Sequence, residues 1–379
     1  MKKNIWFAIC CLLPLAGCCG HQQCHQQPAA LTGQIIQRQG DEIVVCGQFI
    51  HTGAPVVTWM DPGGFDAYRT ERRFAPMAVS DWKDSAEQVK GLTSPNRYGL
   101  RKADLTPQQI DEVRGGGWPL DLLQQKVDQF VLHFDVCGTS RQCFNILQDH
   151  RNLSVHFMLD IDGTIYQTLD LKERAWHATT SNDRSIGIEI ANIGAYKVGG
   201  RDNALRDWYR KQPDGTTRII VPLALGSGKY ERTPNFVGHP IRNDPVVGVI
   251  QGEELEMYDL TPQQYDSLIK LTATLCLTFP KIKCEVPRNA DGTVINHKLP
   301  KDELDSYEGI MGHYHVQTDK TDPGPALQWD MLISGAQKLI AQAKAHHLNA
   351  HWIEKPPVPD SYKPATTQPA MASIAKSGS

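Results

Sequence analysis

The chain has 379 residues, 40% of them hydrophobic and 21% charged, with a formal net charge of −3 at pH 7. That length admits one embellished domain or two of ordinary size, and the apolar content supports a packed core, which excludes wholesale disorder. A nearly balanced charge with no block of like sign excludes nucleic acid as a partner.

The first predicted element is an export signal. Lys2 and Lys3 precede an apolar stretch from Ile5 to Leu15, which runs into Leu15-Ala16-Gly17-Cys18. A basic start, a short apolar segment and small residues at its end form the signal pattern. The segment is shorter than the ~20 apolar residues of a spanning helix. The Leu-Ala-Gly-Cys string resembles the bacterial lipobox. That likeness implies a signal peptide at residues 1–17, a lipidated Cys18 and a tether over residues 18–30. Cys19 stands where an aspartate would favour inner-membrane retention in enteric bacteria, so a periplasmic protein held to the outer membrane is expected. Ten cysteines suit an oxidising compartment. With Cys10 and Cys11 removed and Cys18 acylated, Cys19, Cys24, Cys46, Cys137, Cys143, Cys276 and Cys284 remain. The close pairs Cys137–Cys143 and Cys276–Cys284 are the expected disulfides, and the pairing of the other three stays open. None shows Cys-x-x-Cys spacing, which argues against a thiolate zinc ribbon.

Residues 31–126 read as an N-terminal extension with strand-like pieces at Glu42–Val45 and Pro55–Trp59. Thr106-Pro-Gln-Gln109 supplies a capping Thr, a Pro in the first turn and a Gln three residues on, the start of a helix. The same four residues recur at Thr261–Gln264. Gln129–Asp135 suits a buried strand, Arg141–Arg151 a helix and Val155–Asp160 a strand. Asp162-Gly163 turns the chain into Thr164–Leu169, and Ser185–Asn192 is a further buried strand. Residues 196–258 are polar and punctuated by Gly and Pro, which predicts a long inserted loop region. Thr261–Phe279 places Tyr265, Leu268, Ile269, Thr272, Leu275 and Cys276 on one helical face. Met311–Val316 is a short strand or extended loop, Ala326–His346 a final helix, and residues 351–379 a disordered tail rich in Pro, Ala, Thr and Ser. Strands interspersed with helices predict an α/β or α+β core over residues 127–350.

Three positions could hold a metal. His133 lies within the apolar string Phe130-Val131-Leu132-His133-Phe134. His313 follows Gly312 in Met-Gly-His-Tyr-His, and Asp322 precedes Pro323-Gly324, a turn that can aim its carboxylate. Two imidazoles and a carboxylate make a zinc set with an open fourth position. His315 is a rival, because residues i and i+2 share a face on a strand.

Val131-Leu-His133-Phe, Asp162-Gly-Thr-Ile-Tyr166, Arg174-Ala-Trp-His177-Ala, Ser185-Ile-Gly-Ile-Glu189 and Gly312-His…Lys320-Thr-Asp-Pro-Gly-Pro325 occur in that order. Together they resemble the type-2 N-acetylmuramoyl-L-alanine amidases, relatives of T7-type lysozymes and peptidoglycan recognition proteins, over residues 127–335. The resemblance implies a single central mixed β-sheet flanked by helices. It implies one catalytic Zn2+ on His133, His313 and Asp322, with Glu189 acting on the water that zinc activates and Lys320 stabilising the tetrahedral intermediate. Trp176, His177 and Asn182 fall where relatives bind substrate. His156 matches a histidine that is structural or touches substrate, and the two roles remain open. Cys137 and Cys143 match a disulfide beside the first ligand. Phage-type relatives carry a tyrosine where this chain has Val155, which directs the chemistry to Glu189. The implied function is hydrolysis of the bond between N-acetylmuramic acid and L-alanine in peptidoglycan or its turnover fragments. The implied partners are the wall polymer and, through the lipid, a membrane; no protein partner is implied. The alternative is a silent peptidoglycan-binding module, from which a complete ligand set distinguishes an enzyme.

Overall fold

The computed structural model describes residues 32–80, 97–200 and 203–345. The expected signal peptide, the tether with Cys18, Cys19 and Cys24, and the tail over 351–379 lie outside the described residues. The chain divides into residues 1–38 and 39–379, and every element below belongs to the second unit.

Six strands form the central sheet: β1 (Val56–Thr58), β2 (Gln129–Phe134), β3 (Phe157–Leu159), β4 (Ile165–Gln167), β5 (Ser185–Ile190) and β6 (Gly309–Gly312). Their spatial order is β6-β2-β5-β3-β4-β1. Only β3 and β4 run antiparallel to each other; the other neighbours are parallel. The sheet is therefore mixed, as the resemblance implied.

Alternation along the strands separates a packed face from a chemical one. Phe130 and Leu132 of β2, Phe157 and Leu159 of β3, and Ile186, Ile188 and Ile190 of β5 share one apolar cluster. Leu268, Leu271 and Leu275 of helix α2 (Pro262–Thr278) join it, with Leu332 and Ile333 of helix α3 (Trp329–Ala345). Because successive side chains on a strand point to opposite faces, His133, Ser185, Gly187 and Glu189 emerge on the other side. The Ile-x-Ile-x-Ile run of β5 thus both anchors the strand and frees its intervening residues for the site.

Helix starts follow local chemistry. Thr106 and Thr261 each accept from the backbone N–H three residues on, and the glutamine there reaches back to close the capping box. The helix expected over Arg141–Arg151 is regular only over Ser140–Asn145, and continues as a wider π turn to Arg151. It stops at Asn152, whose left-handed backbone (φ 54°) suits asparagine.

Residues 196–258 are more ordered than a loop. They carry a three-stranded sheet of Tyr196–Lys197, Val246–Ile250 and Glu253–Met257, and a hairpin pairing Tyr209–Lys211 with Thr217–Ile219. Leu205, Trp208, Tyr209 and Ile219 bury each other in a satellite cluster, which offsets the ordering of these short segments. Residues before 127 also join the body: β1 extends the sheet edge, and Tyr98–Leu100 pairs antiparallel with Glu173–Ala175. No helix among the described residues is long and apolar enough to cross a membrane.

Candidate active site

Strand register assembles the site. Parallel pairing sets His133 opposite Glu189, so both side chains leave the same face at the same level. β6 ends with Gly312 opposite Leu132, and the chain turns immediately into the 3₁₀ turn His313–His315. Asp322 arrives on the next loop, where its carbonyl accepts from the Tyr314 N–H at 3.1 Å. Gly324 makes the turn behind it at φ 82°, and a Cβ there would stand 2.4 Å from the Met257 sulfur.

His133 Nδ1, His313 Nδ1 and Asp322 Oδ2 form a triangle. Its edges are 3.0 Å between the imidazoles, 2.8 Å from His133 to Asp322 and 3.0 Å from His313 to Asp322. A tetrahedral ion with bonds of roughly 2.0–2.1 Å has ligand edges of about 3.3 Å, so a small outward shift of the three atoms fits zinc. The far nitrogens support this orientation. His133 Nε2 lies 3.0 Å from His177 Nδ1, and His313 Nε2 lies 2.7 Å from Gln317 Oε1. The amide oxygen can only accept, so His313 carries its proton on Nε2 and presents a bare Nδ1. His177 in turn reaches Ser185 Oγ from Nε2 at 3.2 Å. A run of donors from His133 through His177 to Ser185 satisfies each ring with Nδ1 of His133 left as a lone pair.

The electrostatics point the same way. Burial, with His313 beside it, holds the His133 imidazole down at about 4, so the ring is neutral near pH 7. Burial works to raise the Asp322 carboxyl, but the adjoining imidazoles outweigh it and keep the group below the usual carboxylate range. Glu189 goes the other way: burial, reinforced by Asp322 and Asp135, pushes its carboxyl well above the ordinary value, with Arg151 opposing. Burial also lifts Asp135 to about 7, although one of its oxygens accepts the N–H groups of Cys137, Gly138 and Asn192.

A cavity of about 330 Å³ opens on this triangle, lined among others by Glu189, Lys320, Trp176 and Arg151. Lys320 stands in its wall with Nζ 3.8 Å from an Asp319 oxygen. Trp176, His177 and Asn182 also line it. Both ring nitrogens of His177 are engaged by protein, and Asn182 Oδ1 accepts the N–H groups of His177 and Ala178 at 3.0 and 2.7 Å. His156 is fully buried away from the cavity, its Nδ1 accepting the Gly187 N–H at 3.1 Å. His315 is not in the triangle: its Nδ1 accepts the Gly312 N–H and its Nε2 sits 2.6 Å from the Ile295 carbonyl.

The family described as N-acetylmuramoyl-L-alanine amidase matches residues 123–325, more than half of the chain. The chain belongs to that family. Both the matched segment and the described triangle contain His133, His313 and Asp322. Solved structures similar to this amidase include a selenomethionine derivative of AmpD, at 17% identity and TM-score 0.29, covering 63% of this chain and 89% of that one. AmpDh3 from Pseudomonas aeruginosa, solved with an anhydromuramic pentapeptide, is 18% identical with TM-score 0.30, covering 55% and 60%. AmiD from E. coli, solved with anhydro-N-acetylmuramic acid-L-Ala-D-gamma-Glu-L-Lys, is 17% identical with TM-score 0.29, covering 55% and 57%. No curated protein matches the chain.

Three residues of the amidase site escape sequence reading: Gln317, Ser185 and Asp135. Gln317 stands four residues after His313, and Ser185 four before Glu189 on the same strand face, so spacing carried some signal for both. The expected sulfur pairs are adjacent but unjoined. The Cys137 and Cys143 sulfurs lie within 4.8 Å of each other and of an Asp135 oxygen, and Cys276 and Cys284 are in thiol contact.

The His177 ring lies over Gly187, where a Cβ would stand 2.4 Å from Nδ1. Gly187→Ala is therefore expected to push His177 off His133 and to weaken the affinity of the triangle for an added divalent ion roughly 10–100-fold, the usual cost of losing a partner behind a ligand. Competition with a chelator of known affinity measures this, and unchanged affinity would show that His177 does not support the ligand.

Proposed function

We propose that this amidase binds one zinc ion on His133, His313 and Asp322 and hydrolyses the lactyl-amide bond between N-acetylmuramic acid and L-alanine in peptidoglycan or its fragments. The observation that carries the reading is the buried triangle of two Nδ1 atoms and one carboxylate oxygen beside Glu189, at the floor of an open cavity. A bound divalent ion there supplies Lewis-acid polarisation of the scissile carbonyl and acidifies water toward neutral pH.

The protein's own groups supply the rest. Glu189, level with His133, is placed to accept the proton of the attacking water and to return it to the L-alanine nitrogen, which cannot depart as an anion. The Glu189 carboxyl, held high by burial, would be drawn back toward its ordinary range by a cation held in the triangle. Lys320 supplies positive charge to the developing oxyanion. Trp176 offers an aromatic wall and Asn182 holds the turn that carries it. His156 acts as a structural support under this strand face, since its nitrogens face backbone groups.

The same reading includes export and attachment to the outer membrane through Cys18, supported by Leu15-Ala-Gly-Cys18 and the basic start. In an oxidising compartment Cys137–Cys143 and Cys276–Cys284 would close as disulfides.

Mass spectrometry of digested sacculi tests the function. Free stem peptides that begin at L-alanine should appear with wild type and be missing with Glu189→Ala. Cuts at any other bond, or equal products from the variant, would refute it.

A further inference from the structure

Arg101 lies outside the family match, at the end of the strand Tyr98–Leu100 in the N-terminal segment, and its side chain is fully buried. Its Nη1 donates to the carbonyls of Asn182 and Asp183 at 3.2 and 3.1 Å, and its Nε donates to the Leu171 carbonyl at 3.2 Å. Its Nη2 is 2.9 Å from His156 Nε2, but that contact does not hold it. The Gly187 N–H points into His156 Nδ1, so Nε2 bears the ring proton and gives it to the Glu173 carbonyl at 2.9 Å. Two donors face each other there. The three carbonyls are what anchor the guanidinium, and burial lowers its pKa only to about 10, so it stays charged.

Two of those carbonyls belong to the turn that shapes the cavity wall. Asn182, fixed through its backbone by Arg101, uses Oδ1 to hold the N–H groups of His177 and Ala178. His177 then backs the His133 imidazole at 3.0 Å, and Trp176 on the same stretch lines the cavity. A buried cation whose donors are spent on backbone carbonyls, two of them in one turn, costs desolvation, which a purely apolar filler would avoid. What the arginine adds is a fixed backbone position for that turn.

We propose that Arg101 is a positioning residue that clamps the 176–183 turn and so completes the substrate groove from outside the family segment. The proposal rests on the amidase reading for its kinetic part only. Arg101→Met in the full chain should lower hydrogen-exchange protection of the His177 and Ala178 amides by roughly tenfold or more, with the central sheet unchanged. It should raise KM for a muropeptide about tenfold while kcat falls no more than about threefold. Arg101→Lys should recover part of both effects, and serves in place of the methionine variant if that one fails to fold. Because Arg101 acts through Asn182, the double variant with Asn182→Ala should have the KM of Asn182→Ala alone. Unchanged exchange at 176–183, loosening across the whole protein, an unaltered KM or additive effects in the double variant would each overturn the proposal. If wild type fails to cleave the muropeptide but exchange rises only at the turn, the amidase reading falls and the clamp stands.

Discussion

Glu189→Gln is expected to lower kcat for cleavage of a muramoyl-L-alanine amide by roughly 10³-fold, within the range of about 10²–10⁴ for removal of a positioned general acid–base. The substitution keeps size and shape, so the β5 register that sets residue 189 against His133 has no reason to change. What it removes is the ability to take a proton from water and hand it to the leaving nitrogen. KM and zinc content should stay near wild type, because Glu189 is not part of the three-atom triangle. The pH profile adds a second readout. A carboxyl must be ionised to act as base, so the wild-type rate rises with pH as Glu189 loses its proton. Burial and the neighbouring carboxylates shift that limb upward, and a bound cation shifts it back. In the glutamine variant the limb should be missing. Steady-state kinetics across pH decide the matter, and a variant with wild-type kcat would remove Glu189 from the reaction.

Stripping the metal is expected to abolish turnover and to soften the protein. Added zinc should bind one ion per chain and restore activity. At free zinc about a thousand times the dissociation constant, binding stabilises the folded state by about 4 kcal/mol, which corresponds to roughly 8–16 °C in Tm for a domain of this size. His313→Ala should lose the stoichiometry, the thermal shift and the activity together, since two ligands do not form a closed site. Because His133 is held neutral down to about pH 4, it releases no proton on binding at pH 7. Metal analysis, calorimetry and turnover on the same samples test this. Full activity in the presence of a strong chelator would overturn the metal assignment.

Much of the candidate site is legible in the sequence. His133, Glu189, His313, Lys320 and Asp322 lie in ordered motifs, and all five line one cavity. The strands and helix caps were equally local matters: Ile186, Ile188 and Ile190 declare a packed face by alternation, and the Thr-Pro-Gln-Gln starts satisfy their own amides. Other features resisted. His313 and His315 are equivalent by spacing; the resemblance alone favours His313, and the turn after β6 gives the physical reason, because it spends His315 on Gly312 and Ile295. The strands within residues 196–258 are too short and too often broken by Gly and Pro to show a period.

Local rules therefore settled which faces pack and where helices begin, since each depends on neighbours a few residues away. Pairing between distant strands settled the rest. It packed His177 behind His133 and brought Arg101 under a turn some eighty residues downstream. Those outcomes depend on contacts whose energy exists only once the chain has closed on itself, so no stretch of sequence carries their signature.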